Sequence, residues 1–227
     1  AVFKKRDFVL MWLAQLVSTA GSALTDLAAG IYVYDQTGSA FLVGVTLMAT
    51  AVPSLVVGLI AGVFVDRWDR RRTMMASNLL QAVIVATIPF LLDVDITLLF
   101  VAILVNAGVK MFFDPAYEAL IPEIASDEEL TAANAFLQIA SFGSTAIGFA
   151  GAGLLAAIDI RLAFWIDSLT FVFSALCIYL MKTRVKMDAP DEDASVSLVV
   201  NNLKTGVRTI RDTPMLRSLF LLGAPVF

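Results

Sequence analysis

The 227 residues are 59% hydrophobic and only 16% charged, with a mean hydropathy of +0.84, whereas a soluble domain carries roughly a quarter charged residues. A water-soluble core of this size cannot hide so much apolar sequence, because small domains keep a large surface, so the chain reads as a membrane protein. The absence of histidine argues against histidine-based catalysis, zinc chemistry and haem ligation, a lone Cys177 excludes an intrachain disulfide, and the net charge of −4 matters less than where the charges fall.

The chain opens AVFKKRDF, with no cleavable-signal pattern and no initiator Met, so a few residues are expected to have been trimmed. A helix needs about 20 apolar residues to cross the hydrocarbon layer. Six stretches satisfy this in turn: Phe8–Tyr34, Phe41–Val65, Thr73–Leu92, Ile96–Tyr117, Thr131–Ala157 and Ala163–Met181. A seventh begins near Met215 and is cut off at Phe227. The links DQTGS, DRWDRRR, DVD, IPEIASDEE and DIR are short, which makes sequential spans antiparallel neighbours. The fold class expected is an all-α transmembrane bundle of six helices over residues 1–181. A cytoplasmic linker over 182–212 and the start of a further span over 213–227 follow it.

Charges and polar groups inside spans are costly and read as functional. In span one, Gln15, Thr19, Ser22 and Asp26 recur at intervals of four, three and four, so they share one helix face. Span four offers Asn106, Lys110 and Asp114 at intervals of four, and span five offers Asn134, Gln138, Ser141 and Thr145. Three such stripes imply a watered cavity between helices, with interhelical hydrogen bonding in a tight bundle as the alternative. Asp167 in span six is expected nearer the outer interface, in a structural or solvated role. Counted from the span ends, Asp26 stands about 27 Å up from Phe8 and Lys110 about 21 Å down from Ile96. On that count the two lie at different depths, do not form a salt bridge, and leave Lys110 better placed for Asp114. Asp26 then lacks a cationic partner and can carry a proton reversibly, or a cationic cargo can take the partner's place.

Span five also carries Gly143, Gly148, Gly151 and Gly153, and small residues let helices approach closely. Pro53 and Pro89 fall within spans two and three, where neighbouring helices can satisfy the freed backbone.

Between spans two and three the chain reads GVFVDRWDRRRTMM, with four arginines and two aspartates from Asp66 to Arg72. Placing the N-terminus inside puts every one of the 16 Lys and Arg on the inner side except Lys110 and Arg161, as the positive-inside rule requires. The charge knot is thus cytoplasmic and anchors the topology. After span six, MDAPDEDAS reads as a flexible acidic linker. Val196, Val199, Leu203, Val207 and Ile210 then fall at helical spacing with Lys204, Arg208 and Arg211 off that stripe. The pattern suits a basic amphipathic helix on the inner leaflet or an ordinary soluble linker helix.

Gly62-x-x-x-Asp66-Arg67-x-x-Arg70-Arg71-Arg72, between spans two and three, resembles the loop signature of the major facilitator superfamily. GSALTDLAAGIYVYDQTGSA, VPSLVVGLIAGVFVDR and FFDPAYEALIPEI are similar to its multidrug and macrolide efflux branch. The resemblance implies a latch of the outward-open state, with Asp66, Arg70 and Asp114 in the network, Gly62 beneath it, and Arg67 and Arg71 beside it. This sequence has Asp69 where the family usually has Gly, an extra carboxylate that could compete for Arg70 or Arg72. The glycines of span five resemble the glycine-rich signature of antiporter members, although Gly148-Phe149 stands where Gly-Pro is usual.

The function expected is secondary transport: proton-coupled efflux of small amphipathic or cationic compounds by alternating access in a bacterial-type inner membrane. Asp26 is the coupling residue and the three stripes line the site. Partners are the small-molecule substrate, protons, membrane lipids, and a C-terminal half or a second copy. No cofactor, metal or nucleic acid is implied. A facilitator, an importer or a lipid carrier of the same fold is the alternative. A membrane enzyme is disfavoured by the lack of a nucleophile–base constellation and of a Walker sequence, and a sensor would bind without moving its ligand.

Overall fold

The computed structural model describes residues 2–49, 53, 57, 61, 65 and 68–183. The chain divides into two units, Ala1–Asp188 and Ala189–Phe227, and every described residue belongs to the first. The amphipathic helix from Val196, the linker before it, the seventh span, most of span two beyond Met48, and Gly62, Asp66 and Arg67 lie outside the described residues.

A short 3-10 turn, Val2–Lys4, precedes α1 (Arg6–Thr37). It is followed by α2 (Ala40–Met48), α3 (Arg70–Leu91), α4 (Ile96–Ile124), α5 (Leu130–Ala156) and α6 (Arg161–Leu180). Among the described residues α1, α3, α4, α5 and α6 are long and apolar enough to cross a membrane. Pro53, Val57, Ala61 and Val65 are helical as well.

Local chemistry sets the ends. Gly38 closes α1 with φ 63°, donating its N–H to Tyr34 O at 2.7 Å. Ser39 caps α2 by accepting from Leu42 N at 3.3 Å, and Asp95 caps α4 by accepting from Thr97 N at 2.6 Å. Asp69, the carboxylate out of place in the loop signature, is the N-cap of α3. Its Oδ1 accepts from Arg72 N at 2.8 Å, and its Oδ2 stands 3.9 Å from Arg72 Nε. The acid is therefore spent on the helix start and on Arg72, not on Arg70.

α1 packs on α5, α6 and α2, while α3 packs on α4 and α6. Two apolar clusters hold the bundle. One gathers Phe8, Met11, Met74, Phe113, Leu120, Leu137 and Ile178, and the other gathers Leu24, Val33, Val85, Ile88, Leu99, Phe164 and Phe171. Along the long helices polar residues fall between these clusters. Ser18, Ser77, Asn78, Gln81, Ser144 and Ser174 are buried at this level, while Asp167 is buried between Phe164 and Phe171 of the second cluster. The opposite faces are apolar and exposed, as with Leu80, Val83, Val101, Phe142, Ile147, Leu169 and Leu176. Apolar outside and polar at mid-height is the arrangement expected where lipid is the solvent.

The two ends differ in charge. At one end Lys5 pairs with Glu129 at 2.6 Å, and Arg70 pairs with Glu123 and donates to Ala119 O at 3.0 Å. Arg71 there donates to the carbonyls of Ile178 (2.9 Å) and Tyr179 at the C-terminus of α6. Asp7 accepts from the backbone N–H groups of Lys182 (3.0 Å) and Thr183 (2.7 Å). At the other end Arg161 pairs with Asp93.

Candidate functional site

The polar level of the bundle opens into three adjoining cavities. The first, of about 190 Å³, is lined by Ser22, Thr25 and Asp26 from α1, Gln81 from α3, and Asn106 and Lys110 from α4. The second, of about 50 Å³, shares Ser22, Gln81 and Lys110 with it and adds Gln15, Thr19, Asn78 and Asp114. The third, of about 490 Å³, shares Gln15 with the second and is walled by Tyr117, Glu118, Asn134, Gln138 and Ser141. These shared residues make one polar track running from Asp26 past Lys110 and Asp114 to the α4–α5 face.

The three sequence stripes therefore meet. Gln15, Thr19, Ser22 and Asp26 line the track from α1, Asn106, Lys110 and Asp114 from α4, and Asn134, Gln138 and Ser141 from α5. Thr145 is the exception: its hydroxyl donates to Ser141 O at 2.9 Å within its own helix, and it lines none of the three cavities.

The depth argument for Asp26 and Lys110 is corrected. The two residues line one cavity. The count went wrong because it ended span four at Tyr117, whereas α4 runs on to Ile124, and α1 begins ahead of Phe8. Counted from the outer ends of the two helices, at Thr37 and Ile96, the two residues sit within about one helical turn of the same height. Among the described residues no ion pair of 4.0 Å or less joins Lys110 to Asp26 or to Asp114. Asp26 is an exposed residue lining this cavity from α1, and Lys110, also exposed, lines it from α4.

Among the described residues, Gln15 Oε1, Asn106 Oδ1 and Tyr117 OH are buried and find no hydrogen-bond partner. A buried group left without a partner costs about 1–3 kcal/mol, and each of these three lines a cavity wide enough for water or a ligand to satisfy it. Tyr117 is held in place by stacking on Phe113, with ring centroids 5.8 Å apart.

Behind the wall lies Asp167, near the outer end of α6 as expected. Of the two roles expected for it, the solvated one fails because it is fully buried. Its Oδ2 accepts from Thr25 Oγ1 at 2.5 Å and its Oδ1 from Thr170 Oγ1 at 3.1 Å. Asn78 of α3 and Ser174 of α6 make a second buried link, at 2.8 Å. Sequence reasoning missed Thr25, Asn78, Gln81 and Ser174. The run Ser77-Asn78-x-x-Gln81 in an otherwise apolar span was the available signal for α3.

The charge knot is described from Trp68 onward. Arg70 reaches the Ala119 carbonyl and Glu123, about one and a half and two and a half turns beyond Asp114 on α4, and makes no ion pair with Asp114. Arg71 holds the end of α6. Among the described residues no group of His, Cys, Asp and Glu could hold a metal ion.

Comparison with known proteins agrees with this architecture. The chain is 32% identical to the multidrug efflux pump Tap of Mycolicibacterium fortuitum, over 96% of this chain and 56% of that protein. It is 24% identical to macrolide efflux protein A of Streptococcus pyogenes, over 96% of this chain and 55% of that protein. A putative bacilysin exporter of Bacillus subtilis, BacE, is 28% identical over 66% of this chain and 37% of its own length. The chain spans about half the length of the first two relatives. The family model of the Major Facilitator Superfamily matches residues 11–227. With its apolar helices and bacterial relatives, the chain is an integral membrane protein and belongs to the Major Facilitator Superfamily.

Proposed function

We propose that this chain is the first half of a secondary transporter that exports small amphipathic or cationic compounds in exchange for protons. Asp26 is the coupling acid, and the track from Asp26 to Ser141 is this half's share of the substrate path. One observation carries the reading: Asp26, which makes no ion pair among the described residues, lines the same cavity as Lys110 and as an Asn106 carbonyl that has no hydrogen bond among the described residues, within an apolar bundle. A carboxyl so placed can take a proton from cavity water, or face a cationic cargo, but not both at once. That exclusion is the physical basis of antiport. The names of the relatives, a multidrug efflux pump and a macrolide efflux protein, support export.

Alternating access needs a second half for this bundle to rock against, supplied by more of the same chain or by a second copy. The pairings α1–α6 and α3–α4 interchange when α1–α3 are swapped with α4–α6, which supports an inverted repeat. The cluster of Lys5, Arg70 and Arg71 at one end, against Arg161 at the other, supports a cytoplasmic N-terminus.

A second reading, a carrier without proton exchange, draws on Lys110: its ammonium across the cavity could hold Asp26 charged throughout the cycle. The two readings part in liposomes. The full-length Asp26→Asn variant, folded as the wild type, is expected to lose efflux of ethidium driven by a pH gradient. Wild-type rates in that variant would refute the coupling role and favour the second reading.

A further inference from the structure

Asp167 is the buried acid that this reading leaves unused. It is 0% exposed, on α6, one side chain behind the wall of the Asp26 cavity. Its Oδ2 receives the Thr25 hydroxyl at 2.5 Å. The Thr170 hydroxyl lies 3.1 Å from its Oδ1 and nearer, at 2.7 Å, to its own backbone carbonyl, and among the described residues Asp167 makes no ion pair. The charged groups that act on it are Asp26 from α1 and Lys110 from α4. α3 meets this stretch of α6 through the Ala82 carbonyl, which accepts from Ser168 at 2.9 Å. α1 presses against the carboxyl where it has no side chain: a Cβ at Gly21 would fall on Asp167 Oδ1 and Thr170 Oγ1. The acid is thus enclosed, and one of the side chains bonded to it faces the cavity. That side chain is Thr25, itself 3% exposed, which lines the cavity beside Asp26 while its hydroxyl donates to Asp167. An ionised acid kept in such a place, with no cation on it among the described residues, is costly, and intramembrane acids of this kind read as functional by default.

We propose that Asp167 is a second proton-binding site of the carrier, set behind the cavity wall and reached through the Thr25 hydroxyl. A hydronium in the cavity gives its proton to Thr25 Oγ1 as that hydroxyl passes its own proton to Asp167 Oδ2. A water, an intact threonine and a neutral carboxyl result, and release runs the same steps backwards. Asp26 stays free to meet cargo while Asp167 stores a proton out of the cargo's reach. The inference rests on the proton-coupled reading above but is tested without transport.

Infrared spectra of the full-length protein in liposomes, recorded through a pH jump with no ligand present, read the carboxyl C=O stretch directly. Wild type and Asp26→Asn are expected to share a protonated-carboxyl band that Asp167→Asn lacks. Asparagine keeps the shape of the side chain and one acceptor oxygen, whereas a purely structural acid would show no titrating band in the wild type. Thr25→Val is expected to slow the band's response to the jump by about a hundredfold, and Thr25→Ser to restore it. These threonine variants stand even if Asp167→Asn fails to fold. Identical bands in wild type and Asp167→Asn, or equal response times in Thr25→Val and Thr25→Ser, would overturn the proposal. A titrating band together with ethidium efflux indifferent to a pH gradient would sink the antiport reading and leave the Asp167 site standing.

Discussion

Gly148 in α5 lies directly against Ala20 in α1: a Cβ added at position 148 would fall on the Ala20 carbonyl oxygen and the Ala23 methyl. Backbone cannot yield as a flexible side chain can, so the crossing of the two helices is set by this missing side chain. In lipid, helix association relies on such close packing, because the solvent is as apolar as the side chains. Gly148→Ala is expected to push α1 and α5 apart and cost about 1–3 kcal/mol, lowering the melting temperature in detergent. Gly143, where an added methyl would meet nothing within 4 Å, should accept alanine without loss. Equal melting of both variants would show that the crossing does not depend on Gly148.

A second crossing depends on a polar contact. Asn78 Nδ2 donates to Ser174 Oγ at 2.8 Å, with Asn78 1% and Ser174 0% exposed. Such interhelical bonds contribute roughly 0.6 kcal/mol and at most about 1.7 in membrane proteins. Asn78→Ala and Ser174→Ala should therefore each destabilise the bundle, with the double variant little worse than either single one. Strict additivity in that cycle would mean that the bond contributes nothing.

Much of this was legible in the sequence because lipid imposes simple rules. Apolar length placed the ends of α1, α3, α5 and α6 to within about three residues, and capping residues such as Ser39, Asp69 and Asp95 sit where the links begin or end. The stripes on α1, α4 and α5 were legible because helical periodicity puts their residues on one face. What lies across from a face was not legible. Asp167 and Thr25 are 142 positions apart, and no local pattern links them. Relative depth failed for Lys110 because apolarity ends before the helix does: Glu118 and Glu123 hide the last turns of α4 from a hydropathy count.

Arg70 offers a direct test of the latch expected from the loop signature. It pairs with Glu123 at the end of α4, with both side chains about a quarter exposed, and not with Asp114. In a double-mutant cycle on thermal stability, Arg70→Gln and Glu123→Gln should couple by about 0.2–1 kcal/mol. Arg70→Gln and Asp114→Asn should add independently. The reverse pattern would return the latch to Asp114.

The link ahead of α5 predicts a pH dependence. Lys5 Nζ lies 2.6 Å from Glu129 Oε2. The hydrogen bond from Lys5 is the first cause of a Glu129 carboxyl held down at about 2, against an ordinary value of 4.5. Because the folded value is the lower one, the ionised form favours the folded state. That contribution is complete above about pH 4.5 and fades as pH falls towards 2. Glu129→Gln removes the charge at every pH, so its melting temperature should fall below that of wild type at pH 7. The gap should narrow between pH 4.5 and 2 and shrink with added salt at neutral pH, as an exposed pair requires. A gap of constant size across that window would show that Glu129 acts through packing or through its place before α5, and not through its charge.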